Sequence, residues 1–471
     1  MKKLMILFLF TTGFIYSQTV NDAVRLVMPG FGSGARSIGM GNAFVAMSDD
    51  GLGMNSNPAG IALVRRFELG TGFKYSSTGN NTTFFGNQNS VNNSAALLDN
   101  FSILIPVPTL RGSLVLGTSY NNVHDFSGKL AFNGFNGGSN SMIQDLNSYS
   151  NIPFELYLTD DNSVTKINGR LNQSGTRLQT GSTGIWNFSA AYEAYKNLFL
   201  GVTIGIGRGD YENNFDLRES DINGVYEGNE LAPGNTFTKQ FRAFDYKTIL
   251  NWDVSFYDIK LGMLYQVRDL ARVGMTVEMP TTYTIKEKYG VEASSSWGTG
   301  RVVSVDPADY ASDVEYEISK PFKFTGGVSF NFRGLIISGQ ASFMDYSQTK
   351  FRDISGLGNS FVSGLNKDVQ ATLRAVLNYN FGAEYTIPFI DARVRAGYFT
   401  LKSPYKEDPS EYDRKFLTFG LGYLLDGELS FDVAYMYGWW KDFGENYGFN
   451  QSRTLQDITY HNAVFGVSFR F

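Results

Sequence analysis

From Leu429 to Trp439 every second residue is large and apolar: Leu429, Phe431, Val433, Tyr435, Tyr437 and Trp439, with Ser430, Asp432, Ala434, Met436 and Gly438 between them. Successive side chains of a β-strand point to opposite faces, so this period makes one face wholly apolar and leaves the other polar or small. The same alternation runs through 417–425, 373–387 and 322–332, and through the final segment, where Ala463, Phe465, Val467, Phe469 and Phe471 share a face. In a soluble sandwich the apolar face would close on a core. Here the opposite face carries many glycines, and the apolar face begins and ends in aromatics, as an interfacial girdle does.

Read this way, the sequence predicts fourteen strands: 66–76, 99–108, 111–121, 184–196, 198–212, 251–267, 270–288, 314–332, 334–350, 369–387, 391–401, 414–425, 428–441 and 461–471. An even number is what bacterial single-chain barrels have, and each strand supplies the roughly 9–11 residues that a tilted crossing needs. The connections give an independent test. Six are short (Thr109–Leu110, Asn197, Arg268–Asp269, Arg333, Pro388–Ile390 and Asp426–Gly427), and they alternate with longer ones, notably 122–183, 213–250 and 289–313. Short periplasmic turns and long external loops are a property of membrane barrels. At this point Phe241 to Ile249 reads equally as an extension of the sixth strand or as a loop hairpin. The fold expected is all-β: a fourteen-stranded antiparallel transmembrane β-barrel in the outer membrane of a Gram-negative bacterium.

The opening fits export. Lys2 and Lys3 precede the apolar run Leu4 to Phe10 and then Thr11 to Ser17, the layout of a secretory signal peptide over 1–17. Its removal would take the formal charge from −5 to about −7, 38 basic residues against 45 acidic. A mildly acidic chain with scattered Lys and Arg lacks the basic patch that nucleic-acid binding needs. There are no cysteines, hence no disulfide, thiolate metal site or lipid anchor on cysteine.

Residues 18–65 do not alternate. Eight glycines fall between Gly30 and Gly60, a density that suits tight turns and close backbone approach in a compact plug rather than a wall strand. Within it lie the run Gly34-Ala-Arg-Ser-Ile-Gly-Met-Gly-Asn-Ala-Phe-Val-Ala-Met-Ser-Asp-Asp and, further on, Asn57-Pro58-Ala59-Gly60. This stretch resembles the hatch of the FadL-like long-chain fatty-acid transporters, in which an N-terminal hatch with an Asn-Pro-Ala motif blocks a fourteen-stranded barrel. The motif resemblance covers about 35 residues. It implies three domains: a signal peptide 1–17, a hatch 18–65 and a barrel 66–471. It further implies passive uptake of long-chain fatty acids or other hydrophobic small molecules, gated by the hatch through Asn57, Pro58, Ala59, Gly39 and Gly41, with a route that leads sideways through the wall. The same opening, Gly-Ala-Arg-Ser-x-Gly-Met-Gly, is also similar to the barrel that shuttles substrates in type IX secretion, which implies a protein-binding role instead.

If the more apolar face of each strand meets lipid, apolar residues on the other face are candidates for substrate contact. They are Val115, Ile185, Phe199, Leu264, Ile336, Met344, Val376 and Met436; packing against the hatch is the alternative for each. Phe126, Leu130, Phe132 and Phe135 in the first long loop are candidates for an external capture groove. The expected partners are a hydrophobic small molecule, outer-membrane lipid and lipopolysaccharide, and the barrel-insertion machinery acting on the C-terminal Phe471.

Enzymatic chemistry finds little to build on. His124 and His461 are the two histidines, neither in a metal-ligand spacing, so no metal, haem or other cofactor is expected. A hydrolase would need one of them as its base. Gly30-x-Gly32-x-Gly34 follows no βαβ unit and is no nucleotide loop. The acidic group Glu407, Asp408, Glu411 and Asp413 reads as a solvated loop tip. An energy-coupled receptor would need a barrel of about 22 strands.

Overall fold

The computed structural model describes residues 18–228, 231, 238–448 and 450–471. The predicted signal peptide and part of the loop predicted at 213–250 lie outside the described residues. Fourteen antiparallel strands close into a barrel: β1 (Glu68–Phe84), β2 (Asn87–Val107), β3 (Leu114–Asp125), β4 (Leu171–Tyr195), β5 (Leu198–Ser220), β6 (Phe241–Val267), β7 (Ala271–Glu278 and Thr281–Trp297), β8 (Ala311–Lys320 and Lys323–Phe332), β9 (Leu335–Asp345 and Lys350–Ser355), β10 (Ala375–Ile387), β11 (Ala392–Leu401), β12 (Arg414–Leu425), β13 (Leu429–Glu445) and β14 (Arg453–Arg470). Closure is direct. β14 pairs with β1 from Glu68↔Arg470 onward, and Phe67 and Phe471 exchange backbone hydrogen bonds of 3.1 Å beside it. The terminal phenylalanine sits in the closing seam.

Alternation divides the wall as the residue pattern requires. Phe73, Ile204, Phe330, Phe381, Phe419 and Phe465 point outward and are exposed, while the residues between them are buried. An exposed apolar belt on a closed sheet satisfies its backbone internally and suits a bilayer. Among the described residues no helix is long and apolar enough to cross a membrane. This is the architecture of a bacterial outer-membrane barrel. Proline marks the irregularities: Pro280 separates the two pieces of β7 and Pro321 those of β8, where a missing N–H breaks the ladder.

The strands are longer than the alternation suggested, and much of what was expected to be loop is strand. β4 begins at Leu171 rather than 184, β5 runs on to Ser220, and Phe241 to Ile249 extends β6. Residues 77–98, expected as a loop, form a hairpin with a two-residue turn at Phe85 and Gly86, whose φ values of 45° and 83° suit a tight hairpin. Polar residues on both faces hide these extensions, because above the membrane neither face must be apolar. One expected strand start is wrong: 359–372 is a helix, α6 (Asn359–Thr372), and β10 begins after it.

Two fillings occupy the barrel. Helices α1 (Val20–Val27), α2 (Ala35–Gly39) and α3 (Gly53–Ser56) and the 3₁₀ turn Pro58–Leu63 lie inside it. At the external end, α4 (Met142–Asn147), α5 (Ile152–Glu155) and the short strand Gly128–Asn136 form a cap. Ile143, Leu146, Ile152 and Leu156 of the cap pack on Phe215, Phe244 and Trp297 of the extended wall.

Candidate functional site

Three stretches of hatch backbone lie in dents in the wall, and each dent is a pair of glycines facing each other across neighbouring strands. Gly382↔Gly397 receives Met40–Gly41, Gly274↔Gly327 receives Val45–Ala46, and Gly201↔Gly262 receives Asn57–Ala59. A Cβ at Gly382 would lie 2.2 Å from the Met40 carbonyl oxygen, and one at Gly274 2.2 Å from that of Val45. The glycines of the lumen face therefore set where the hatch docks. Gly41, at φ 59°, has no room for a side chain either, since a Cβ there would be 2.5 Å from the Phe381 carbonyl oxygen.

Polar side chains then fasten the backbone. Asn57 is fully buried; its Nδ2 donates to the carbonyls of Val45 (2.8 Å) and Met263 (3.1 Å), and its Oδ1 accepts from Ala59 N–H (3.1 Å). Pro58, next in line, starts the 3₁₀ turn where no N–H is needed. Asn380 donates to the Gly41 carbonyl (2.9 Å), and Thr418 accepts from Gly41 N–H (3.1 Å) and donates to the Gly39 carbonyl (3.3 Å). Arg36 links hatch and wall, bonded to Asp49 at 2.6 Å and Asp50 at 2.8 Å and facing Glu384 of β10 at 3.6 Å. Arg272 of β7 holds Asp49 from the other side at 2.8 Å.

Above the hatch is a cavity of about 230 Å³. Phe44, Ile185, Phe256, Tyr283, Met344 and Phe399 form apolar parts of its lining, and a buried charge cluster forms another part. In that cluster Glu278 faces Lys260 (3.4 Å), Lys320 (3.3 Å) and Lys323 (3.0 Å), and Lys320 also faces Asp258 at 3.8 Å. Lys260 further donates to the hatch at the Asn55 carbonyl. Three ammonium groups against two carboxylates leave one positive charge beside apolar walls.

The cavity reaches a discontinuity in the wall. β2 and β3 pair only from Asn100↔Asn121 to Val107↔Leu114. Beyond that point β2 continues paired to β1 alone, while β3 stays with β4 and bulges between Asn122 and His124. Asn122, Val123 and His124 line the cavity at this seam, and Gly30 of the hatch abuts the Val123 carbonyl so closely that a Cβ would sit 1.8 Å from it. Side chains reach across the gap: Lys74 Nζ donates to Asn122 Oδ1 at 2.7 Å, Ser76 Oγ to Asp125 at 2.6 Å and Asn80 Nδ2 to the Lys129 carbonyl at 3.1 Å.

A barrel of this count, plugged from its N-terminus, has counterparts among solved structures. The chain matches the toluene transporter TodX of Pseudomonas putida with a TM-score of 0.59 at 16% identity, covering 94% of this chain and 99% of that one. It matches a Pseudomonas aeruginosa FadL homologue at 0.58 and 12%, with coverage of 94% and 99%. The toluene transporter TbuX of Ralstonia pickettii follows at 0.51 and 16%, again covering 94% and 99%. No family model and no curated protein matches the sequence. The fold is FadL-like.

Within this FadL-like fold the residues singled out from sequence divide into groups. Gly39, Gly41, Asn57, Pro58 and Ala59 all lie on the hatch–wall boundary. Val115, Phe199 and Leu264 pack with Met54, Ala59 and Ile61 of the hatch. Ile336 packs on Met40, Phe44 and Met47. Ile185 and Met344 line the cavity, whereas Val376 and Met436 are buried in the surrounding core without lining it. Of the apolar loop candidates, Leu130 and Phe132 belong to the cap core, Phe126 stacks beside His124, and Phe135 is exposed.

The charged lining was missed. Its sequence signal was present, since Lys260 interrupts β6 and Glu278, Lys320 and Lys323 flank Pro280 and Pro321, but which face the last three occupied was hidden by the proline breaks. His124, expected at an external loop edge, is buried on the β3 bulge. Its Nε2 donates to the Met28 carbonyl (2.8 Å), so its Nδ1 accepts from Thr183 (2.9 Å). His461 faces outward beside Tyr435. Among the described residues no group of His, Asp and Glu could hold a metal ion.

Proposed function

We propose that this chain is a passive channel for hydrophobic small molecules, fatty acids or aromatics, gated by the hatch. The observation that carries the reading is the continuity of one cavity with both the hatch and the β2–β3 seam. A molecule entering from outside meets apolar side chains of the lining, and its way down is blocked by a hatch held through backbone contacts. Its way sideways is bridged by side-chain bonds such as Lys74–Asn122 and Ser76–Asp125. A lateral exit suits a cargo that prefers the bilayer to water, because no aqueous passage is required. The neighbours named for toluene transport, and the FadL homologue, support such a cargo.

The reading is tested by tethering. Ser329 of β8 lies 3.4 Å from the Ala46 carbonyl, and the chain has no cysteine of its own. An Ala46→Cys/Ser329→Cys pair, oxidised, should block uptake of radiolabelled oleate and toluene into cells lacking other routes, and a reductant should restore it. Equal uptake in oxidised and reduced cells would sink hatch gating. No uptake above cells lacking the protein would sink the channel.

A further inference from the structure

At its centre the hatch is a single layer of chain with a cavity on either side. The cavity already described lies above it; a smaller one, of about 60 Å³, lies at the end of the barrel that carries the short turns. Ser33 and Ser37 line the upper cavity, while Gly34, Ala35 and Arg36 between them line the lower one. The stretch 50–56 is divided in the same way, with Asp50 and Gly51 on the lower lining and Asn55 and Ser56 on the upper. Leu52 lines both.

Leu52 is half-buried and lies across Gly34. A Cβ on Gly34 would meet Cδ2, Cδ1 and Cγ of Leu52 at 2.3, 2.4 and 2.9 Å, so the isobutyl group covers the bare backbone of that glycine. The backbone around the pair is pinned to the wall. Gly34 N–H donates to Asp99 of β2 at 2.6 Å, and Gly51 N–H donates to Glu68 of β1 at 2.7 Å. Arg470 of β14 holds Glu68 in turn at 2.7 Å, and Leu52 N–H donates to Asp50 at 3.0 Å. The side chain of Leu52 can therefore turn while the backbone that carries it stays docked.

Both cavities suit water, since each exceeds the roughly 15 Å³ that one water needs and each carries polar groups. The lower lining holds the guanidiniums of Arg36, Arg393 and Arg470 against the carboxylates of Asp50, Glu68 and Asp432. An apolar side chain between two wet compartments is a hydrophobic constriction, which stops ions because the gap stays dry. We propose that a second passage, for water and small ions, runs straight through the docked hatch and that Leu52 closes it. It is separate from the lateral route. An apolar cargo leaves sideways when the hatch shifts, whereas the axial passage opens when one side chain is removed or turned. With charges of both signs at its lower end, the open passage passes cations and anions alike. The seal does not depend on which cargo the channel carries.

The test uses the full-length chain in planar bilayers, with potassium nitrate as the electrolyte. Leu52→Ala should carry a small steady current, about tenfold or more above the unaltered chain, and Leu52→Met, which keeps the volume, should stay closed. The Ala46→Cys/Ser329→Cys tether separates the seal from the hatch. With the tether oxidised, the Leu52→Ala current should persist; loss of current on oxidation would show that the hatch had moved, and would overturn the seal. A second measurement locates the path. Leu52→Cys should also conduct, and silver ion, which binds a lone thiol and is close to potassium in size, should block that current from either side, since the chain has no other cysteine. No current in Leu52→Ala, a current in Leu52→Met as large as in Leu52→Ala, or a Leu52→Cys current indifferent to silver would each refute the proposal. Failure of oleate or toluene uptake would refute the channel without touching this result.

Discussion

The hatch and the external cap both fill the barrel, but they meet its wall in different ways. At the hatch, backbone meets backbone through three glycine pairs, and hydrogen-bonding and charged side chains fasten it beside apolar contacts such as Val115, Phe199 and Leu264 on Met54, Ala59 and Ile61. At the cap, side chains meet side chains: Ile143, Leu146, Ile152 and Leu156 interdigitate with Phe215, Phe244 and Trp297 as in an ordinary core. An interface of close backbone and directional polar bonds is all-or-none, since a small displacement breaks many bonds together. A hydrophobic core yields gradually, because its energy follows buried area. The contrast suits the proposed gating, in which the hatch switches and the cap only has to stay folded.

The sharpest way to break the comparison is to fill a dent. A Cβ at Gly397 would lie 2.2 Å from the Gly41 amide nitrogen, where no flexible side chain can give way. Gly397→Val should expel that part of the hatch while leaving the outer wall intact, and planar-bilayer recordings should show steady current where the unaltered chain is closed. Gly326→Val, where a Cβ would meet nothing within 4 Å, should stay closed. A closed Gly397→Val channel would mean that the dents do not govern docking.

Next in size is the cap. Leu146→Ala removes a fully buried side chain and should cost about 2–5 kcal/mol locally. Hydrogen exchange should accelerate through 142–158 and stay unchanged through 35–63. Acceleration in both regions would show that cap and hatch are one cooperative unit. A smaller effect is expected from Asn57→Ala, which leaves the Val45 and Met263 carbonyls without their donor. That should cost about 1–3 kcal/mol, speed exchange at 43–63 only, and give brief openings rather than steady current.

The same contrast explains what the sequence made legible. The wall between the interfaces was readable because lipid forces one face to be apolar over every crossing, and alternation such as Phe431, Val433, Tyr435 has no competing cause. The strand extensions were not, because at 77–98 and 171–183 water lies outside and cap or polar lumen inside, so no face is marked. The hatch announced itself through Gly34 to Gly41 and Asn57-Pro58-Ala59, yet its receptor, the paired wall glycines, is a property of register between strands far apart in sequence. For the same reason the fate of Val115, Phe199 and Leu264 could not be read. An inward apolar residue looks identical whether it faces hatch or ligand.

The last expected effect, spread over a range of pH, concerns how the cap is fastened. Glu219 stands at the outer end of β5, a strand of 23 residues of which roughly 10 suffice to cross a membrane. Its Oε1 accepts from the Met142 amide (3.0 Å) and from Gln173 (2.7 Å), its Oε2 has no partner, and Tyr447 of the last external loop joins the same network through Gln173 and Asn136. Burial pushes this carboxyl up to about 7 despite those hydrogen bonds. A raised carboxyl favours the closed cap while it is protonated. The penalty is therefore absent below the ordinary value of 4.5, grows as pH rises toward 7, and is constant above, reaching on the order of 3 kcal/mol. Exchange at 142–147, corrected for its intrinsic pH dependence, should accelerate between those limits, and Glu219→Gln should flatten the profile. A pH profile unaltered by Glu219→Gln would assign the titration elsewhere and leave the cap held by its apolar core alone.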